Sequence, residues 1–180
     1  AYTNSVQNAG ATTLFTLSAA QDALYIQTPP NNGTQVLVGF TGVDLLSVSG
    51  FDIDPNTGTG FAVVTTAAGT GLATVNLGTG AVSAITPIAG GTAFNGFALQ
   101  PALPGNGAIS YGVASIGLVD AGNALLRFNS ANPGSAVSVG VTGLLGADVL
   151  VGIDYRPQTW QLFGLGFDPG SGPAGAVQLY

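Results

Sequence analysis

The stretch Phe51–Val64 recurs later in the chain, and this repeat limits the folds that the chain can adopt. Its sequence FDIDPNTGTGFAVV aligns without a gap with IDYRPQTWQLFGL at Ile153–Leu165. The positions that agree are Asp52 and Asp154, Pro55 and Pro157, Thr57 and Thr159, and Phe61 and Phe163. Each copy therefore predicts an apolar strand, a turn opened by proline, and a second apolar strand.

Two further matches extend the repeat. Phe97–Pro101 is a partial third copy that keeps the apolar alternation and the proline but has lost the aspartate. A second motif, Leu72–Asn76, recurs as Leu125–Asn129 and more loosely as Leu14–Ser18. Repetition at intervals of about 45 to 55 residues is typical of radially repeated sheets. Because both motifs recur in the same order, we interpret each repeat as one four-stranded antiparallel sheet, the size of a propeller blade.

These repeats predict an all-β fold of four-stranded antiparallel blades, similar to a β-propeller. We divide the single repeat domain 1–180 into a partial blade (1–50), two complete blades (51–96 and 97–152) and a second partial blade (153–180). No stretch has sustained helical periodicity, and the helix formers Lys, Glu and Met are absent. Roughly three to three and a half blades result, whereas closed propellers have about four to eight. We therefore expect the single chain to be open or incomplete.

The composition excludes several classes of partner. Charged residues make up only 6% of the chain, against about 25% in an ordinary soluble domain. The net charge is −6, and the two cations are Arg127 and Arg156. Such a chain cannot neutralise a phosphate backbone, so we expect no nucleic-acid partner. The longest apolar runs are far shorter than a membrane span, so we expect no membrane span either.

The missing residue types also limit the chemistry. Cysteine, histidine, methionine and lysine are all absent, which excludes disulfides, zinc–thiolate sites, Ser-His-Asp triads and lysine Schiff bases. A paired-carboxylate glycosidase could use Asp52 with Asp54 or with Asp154. Aspartates in repeat turns are usually structural, and two arginines are too few for a sialidase-like site. We therefore predict that the protein is not an enzyme, with no catalytic residue and no cofactor.

Asp52, Asp54 and Asn56 resemble the start of a calcium loop, because oxygen ligands alternate along the chain before Gly58. Val63, however, stands where the bidentate glutamate of such a loop belongs. The other copy has Arg156 in place of Asp54, and a cation cannot serve as a calcium ligand. We favour aspartates that accept backbone donors in a strand-to-turn connection, and assign no metal ligand.

Two other features allow both a binding and a structural interpretation. Tyr155, Trp160 and Phe163 could form a stacking surface for sugars, or could be strand aromatics packed between blades, which we favour. Asn32-Gly-Thr34 matches a glycosylation acceptor, and the same triplet is also an ordinary turn.

Five motifs resemble an uncharacterised bacterial family of unknown function. They are YTN at 2–4, QTPPNNG at 27–33, GFDI at 50–53, RFNSANPG at 127–134 and VGIDYRP at 151–157. The resemblance touches nearly the whole chain and implies a secreted or surface-associated, propeller-like protein. It implies no catalytic residues, because none is established for the family.

The order of the segments differs from that of the family. The segments that resemble the start of the family (about 110–180) follow those that resemble its end (1–100), and its middle portion is missing. The chain thus resembles either the end of one copy joined to the start of another, or a permuted and shortened variant. The missing initiator methionine suggests a processed mature chain or an excised segment.

Two functions from different classes remain open at this point. The first, which we favour, is an extracellular structural protein that associates with itself, such as a subunit of a surface layer or filament. The second is a secreted binding module for glycan or protein ligands. The terminal segments Thr13–Leu17 and Ala176–Tyr180 are apolar and uncharged, and such strand edges attract other strands. We expect another copy, or the continuation of a longer chain, to meet these edges near Tyr2 and Tyr180.

Overall fold

The computed structural model describes residues 1–83, 85–90, 93–100, 114–119, 124–170 and 176–180. Nearly all of their regular structure is β-strand, as predicted, and a 3-10 turn at Pro30–Asn32 interrupts the strands. The strands are β1 (Leu14–Ser18), β2 (Ala23–Gln27), β3 (Gln35–Phe40), β4 (Ser47–Ile53), β5 (Gly60–Thr66), β6 (Gly69–Val75), β7 (Thr86–Pro87), β8 (Phe94–Gln100), β9 (Ala114–Val119), β10 (Ala124–Asn129), β11 (Asn132–Gly140), β12 (Val149–Tyr155), β13 (Leu162–Phe167) and β14 (Val177–Leu179).

The strands form four antiparallel sheets, each built from strands that are consecutive in the chain. Their orders are β1-β2-β3, β4-β5-β6-β7, β11-β10-β9-β8 and β12-β13-β14. The chain divides into two compact units, Ala1–Ile88 with the first two sheets and Ala89–Tyr180 with the last two. The all-β class and the antiparallel hairpins are therefore confirmed, with three or four strands in each sheet.

The two copies of the repeat form hairpins with the same register. Asp52 lies opposite Phe61 in the β4–β5 pair, and Asp154 lies opposite Phe163 in the β12–β13 pair. Each first strand carries a β-bulge at the same place, between Val48 and Gly50 in β4 and between Leu150 and Gly152 in β12. The predicted equivalence of the two strand-turn-strand segments is confirmed.

The partial third copy follows the same backbone plan. Strand β8 has its own bulge between Phe94 and Gly96, at the position that the bulges occupy in β4 and β12. Ala98 then stands where the other copies have an aspartate, opposite Ile116 of β9. The proline- and glycine-rich sequence of residues 101–107 predicts a widened first turn in this copy, and these residues lie outside the described part of the chain.

In the first unit the core lies between the β1–β3 and β4–β7 sheets. The β1–β3 sheet contributes the buried side chains of Phe15 and Leu24, and the β4–β7 sheet turns the face that carries Ile53, Ala62 and Val75 toward them. Apolar side chains from two facing sheets interdigitate in this way wherever sheets pack face to face. Removing this apolar surface from water is the main stabilising contribution to the unit.

In the second unit the β8–β11 and β12–β14 sheets pack in a similar way. Ala98 of β8 and Tyr155 of β12 are buried together, with Leu125, Ile153 and Leu162 against them. The two sheets approach closely at Gly96, where a Cβ atom would be in ordinary van der Waals contact with the Ile153 side chain, at 3.4 Å. Tyr155 stands at the repeat position of Ile53, so both units bury the same face of their later sheet.

Two local patterns predict structure that differs in detail from the observed one. The sequence Ala131-Asn-Pro-Gly134 predicts a turn, but the turn occupies Ser130 and Ala131, and β11 begins at Asn132. Pro133 fits in this strand because β11 is the outermost described strand of its sheet, where proline's missing N–H group is not needed. The segment Ala81–Ile88 predicts a strand, but its described residues form only β7 and a single bridge between Val75 and Val82.

Candidate functional site

The acidic turn after β4 is held together by its own carboxylates. The side chain of Asp54 is only 3% exposed. Its Oδ1 accepts a hydrogen bond from the Asn56 N–H (3.0 Å), and its Oδ2 accepts one from the Thr57 hydroxyl (2.7 Å). Asp52 Oδ1 accepts from the N–H of Ile53 at 2.8 Å. The prediction that these aspartates accept donors within the connection is confirmed.

The corresponding turn after β12 keeps the backbone and changes the side chains. Asp154 Oδ1 accepts from the N–H of Tyr155 at 2.8 Å, as Asp52 does from Ile53. The N–H of Trp160 bonds to the carbonyl oxygen of Arg156 at 2.8 Å, and the N–H of Gly58 bonds to that of Asp54 at the same distance. Arg156 occupies the position of the buried Asp54, and its guanidinium donates to Gln158 Oε1.

The two turns therefore differ in charge at their centres. In the described part of the chain, no three His, Cys, Asp or Glu side chains converge as metal ligands would. The Asp54 oxygens already accept donors from Asn56 and Thr57.

Desolvation by the surrounding strands raises the pKa of Asp154 above its ordinary value. The hydrogen bond from the Tyr155 N–H lowers this pKa in part, and part of the Asp154 side chain still contacts solvent.

The three aromatic residues proposed for sugar stacking do not form one surface. Tyr155 is buried in the core of the second unit. Phe163 is half-buried on the opposite face of the same sheet, because it alternates with Leu162, the strand partner of Tyr155. Trp160 lies in the turn between them, with a left-handed φ of 55°. The repeat also predicts that Phe61 and Phe163 are buried in equivalent places, and this prediction is wrong in degree, because Phe61 is buried and Phe163 is half-buried.

A cleft of about 590 Å³ lies in the first unit, beside the acidic turn. Its lining comes from Gly58 and Thr59, from the end of β6, and from the chain that returns at Ala81–Ser83. The polar groups of this lining are engaged in local turns. Asn76 Oδ1 accepts from the Gly78 and Thr79 N–H groups, and Ser83 Oγ accepts from the Thr74 N–H. The lining has no charged residue and combines polar groups with the apolar side chains of Val75, Leu77 and Val82, so the cleft could accept an uncharged hydroxylated ligand.

Tyr180 anchors the last strand of the second unit. Its hydroxyl donates to Asp148 Oδ2 at 2.6 Å and accepts from the Leu145 N–H at 2.9 Å. Its backbone exchanges two hydrogen bonds with Gly164. A Cβ at residue 166 would lie 2.4 Å from the Tyr180 ring, so only glycine fits beneath it. The hydrogen bond to Asp148 raises the pKa of the Tyr180 phenol.

The outer faces of the two three-stranded sheets expose apolar side chains. We define the outer face of the β12–β14 sheet as the side opposite Ile153 and Tyr155. It carries Phe163, Leu165, Phe167, Val177 and Leu179. We define the outer face of the β1–β3 sheet as the side opposite Phe15 and Leu24. It carries Thr16, Tyr25, Leu37 and Phe40. Leu37, Phe40, Leu165, Val177 and Leu179 are all exposed.

Comparison with protein families assigns the chain. A family model described as a domain of unknown function, DUF4394, matches residues 1–98 and 124–176. The chain belongs to the DUF4394 family. Both repeat hairpins lie within the matched segments of this DUF4394 domain. No curated protein matches the chain.

Within the residues that the structure describes, no helix has the length and apolar character needed to cross a bilayer. The triplet that matches a glycosylation acceptor begins at Asn32, the last residue of the 3-10 turn, and continues through Gly33, which has a φ of 70°, to Thr34. Asn32 and Thr34 are both exposed, and the triplet still allows either interpretation.

Sequence reasoning did not find the outer faces. Leu165 belongs to the repeat and Leu179 lies opposite it on β14, and the apolar character of both residues indicated burial rather than exposure. The signal that could have found them is the absence of charge along three outermost strands, β3, β11 and β14. Soluble proteins usually protect such edges with lysine or proline. Among the described outermost strands of this DUF4394 chain, β7 and β11 each contain a proline, Pro87 and Pro133, whereas β3 and β14 contain neither proline nor a charged residue.

Proposed function

We propose that this DUF4394 protein is a non-catalytic extracellular structural protein that associates with itself through its outermost strands, as a subunit of a surface layer or filament does. The observation that supports the proposal is the exposure of apolar side chains on β3, β11 and β14, none of which carries a charged residue. Exposed apolar surface of this kind marks interaction sites. Open strand edges pair readily with other strands.

The sheet arrangement supports a propeller-like array as the form of the subunit. Consecutive strands form consecutive antiparallel sheets, and within each unit two successive sheets pack face to face. Blades of a propeller follow one another along the chain in the same way. An extracellular location fits a chain with no cysteine and with only 6% charged residues.

Light scattering coupled to size exclusion, followed by electron microscopy of the same fractions, tests the proposal. We expect ordered assemblies well above the 17.7 kDa of one chain, growing with protein concentration. A chain that stays at 17.7 kDa at every accessible concentration would contradict self-association.

A second candidate function is binding of a neutral, hydroxylated ligand such as a glycan, and the cleft beside Asn76 favours it. Thr59, Thr74 and Ser83 give this cleft uncharged polar groups next to apolar side chains, a combination that is usual in ligand pockets. Calorimetric titration with a panel of neutral oligosaccharides tests this function. Replacement of Thr74 by Trp, which fills the cleft, should abolish any heat of binding, whereas the same change at Thr142 outside the cleft should not.

A further inference from the structure

We infer that the outer face of the β12–β14 sheet receives the outer face of the β1–β3 sheet of a second copy, so that copies join head to tail. This inference rests on the proposed self-association and names the surfaces that carry it. The partner is this same chain, and the contact is a sheet-on-sheet packing rather than a strand added to an edge.

The repeat shows that the outer face of the β12–β14 sheet is built for burial. Val63 and Leu165 occupy the same repeat position, yet Val63 is 0% exposed and Leu165 is 42% exposed. Their cross-strand neighbours differ more, because Leu72 is 4% exposed and Leu179 is 70% exposed. An apolar pair that is covered in one copy of the repeat is thus uncovered in the other.

The second unit shows which kind of surface packs on such a face. The β8–β11 sheet turns its Ala98 side toward the β12–β14 sheet. Ala98 holds the repeat position of Asp154, which follows the bulge of β12 as Ala98 follows that of β8. The face that receives the next sheet inside the unit therefore corresponds to the outer face of the β12–β14 sheet. One more sheet could therefore pack on this outer face in the way that the β12–β14 sheet packs on the Ala98 side of the β8–β11 sheet.

The β1–β3 sheet presents the complementary surface. Its Phe15 and Leu24 side already packs on the β4–β7 sheet within the first unit. Its opposite side exposes Leu37 and Phe40, and Phe40 is 67% exposed. In the order of the repeats, this is the side that a preceding sheet would cover. The β1–β3 sheet is the first sheet of the first unit, so no earlier sheet of that unit packs on its outer face. A sheet from another copy can pack there instead.

The charges of the two surfaces are compatible with this contact. The described strands that form the outer faces carry Asp154 as their one acidic side chain and no basic one. Asp154 lies on the outer face of the β12–β14 sheet, opposite Phe163 at the turn end of the hairpin. A contact centred on Leu165 and Leu179 leaves this carboxylate at the rim, in solvent, and apolar area dominates the rest of the contact. The two faces differ from each other, so the contact is heterologous, and heterologous contacts build rings or filaments.

Two double variants and a matched control test the inference. L165T/L179T alters the β12–β14 face, and L37T/F40T alters the β1–β3 face. V137T/V139T alters β11, whose Val137 and Val139 are exposed but lie on neither face. Threonine preserves strand preference, and circular dichroism checks that each variant folds.

We expect each face variant alone to associate at least about tenfold more weakly than the unaltered chain, because buried apolar anchors dominate interfaces. The β11 variant should assemble as the unaltered chain does. An equimolar mixture of the two face variants should form a heterodimer of twice 17.7 kDa, because each retains one intact face. No longer assembly should form from that mixture.

Each other result would overturn the inference. If the face variants assemble normally and the β11 variant does not, self-association stands but proceeds through the β11 edge. If the mixture does not form the heterodimer although both variants fold, the contact is not head to tail. If the unaltered chain is monomeric at every concentration, both the inference and the proposed function are wrong.

Discussion

The β4–β5 and β12–β13 hairpins have the same backbone and different surroundings. Both place an aspartate opposite a phenylalanine, and both have a bulge at the same position. Both also close their turn with the same backbone hydrogen bonds. Yet one hairpin has a buried acid where the other has an exposed arginine, and one buries Val63 where the other exposes Leu165.

This difference separates what determines the fold from what determines the surface. Proline, the aspartate at the strand end and the bulge glycine recur, and they are the residues that direct the backbone. The residue at the centre of the turn differs between the copies (Asp54 and Arg156), and so does the burial of equivalent strand residues (Val63 and Leu165). These differences decide which faces of the sheets are available for contact with a partner. In a repeat protein, function therefore belongs to the positions at which equivalent residues have different neighbours.

The largest expected contrast is between aspartate substitutions at Val63 and Leu165. Val63→Asp places an unpaired charge in a fully buried site, and should lower the free energy of unfolding by at least about 3 kcal/mol. Leu165→Asp places the charge on an exposed site and should change it by less than about 0.5 kcal/mol in dilute solution. Urea denaturation measures both. Similar losses for the two variants would mean that Leu165 is buried as Val63 is.

A smaller contrast is expected at the turn centres. Asp54→Ala leaves the Asn56 N–H and the Thr57 hydroxyl without their acceptor, and should cost about 1.5 to 3 kcal/mol. Arg156→Ala removes one exposed hydrogen bond to Gln158 and should cost less than about 0.5 kcal/mol. Asp54→Asn is the conservative control, since its amide oxygen can still accept one donor.

The same pair tests the calcium hypothesis. With the Asp54 oxygens accepting donors from the turn, we expect a chelator to leave the melting temperature unchanged. A decrease of many degrees that Asp54→Ala abolishes would instead establish a metal site at Asp52, Asp54 and Asn56.

Substitutions at the equivalent turn residues Gly58 and Trp160 should differ by about 1 kcal/mol in their effect on the free energy of unfolding. Gly58 has a φ of 70°, and a Cβ there would meet nothing within 4 Å. Gly58→Ala should therefore cost only the left-handed strain, about 1 to 2 kcal/mol. Trp160 already has that conformation, with a φ of 55°, so Trp160→Gly should relieve strain while losing the packing of the half-buried indole. Thermal unfolding should show a clear loss for the first variant and a smaller net change for the second.

The smallest effect concerns Asp154 and pH. Because desolvation raises its pKa in the folded protein above 3.8, the folded state holds the proton more tightly than the unfolded state does. The free energy of unfolding should then decrease as pH rises from 3.8 through the raised pKa, and be fully retained below 3.8. Solvent contact makes this change small. Asp154→Asn should remove it, and carbon NMR titration of the carboxyl group should give a midpoint above 3.8.

Much of the backbone could be predicted from the sequence because its determinants are local. The repeat predicted the two hairpins, and Pro55 and Asp54 indicated the turn. The Asn-Gly at residues 32 and 33 correctly marked the break between β2 and β3. Propeller-like closure and self-association stay predictions, since they depend on how separate sheets meet.

The rest depends on contacts between residues that are distant in the chain. Val63 and Leu165 are both apolar strand residues, so the sequence could not distinguish the buried one from the exposed one. The bond between Tyr180 and Asp148 joins residues 32 positions apart, and no local pattern indicates it. Pro133 looked like a turn residue because its tolerance in β11 depends on the position of that strand in the sheet.

The shared bulge has a consequence for how such a chain could arise. An extra residue in β4, β8 and β12 resets the alternation of side chains at the same place in each strand. A segment exchanged between two of these strands preserves the inward and outward sides only if its boundaries keep the bulge intact. Duplication or recombination that copies the bulge with its hairpin yields a module that fits any of the three places. The hairpin, with its irregular residue included, is thus the heritable unit of this architecture.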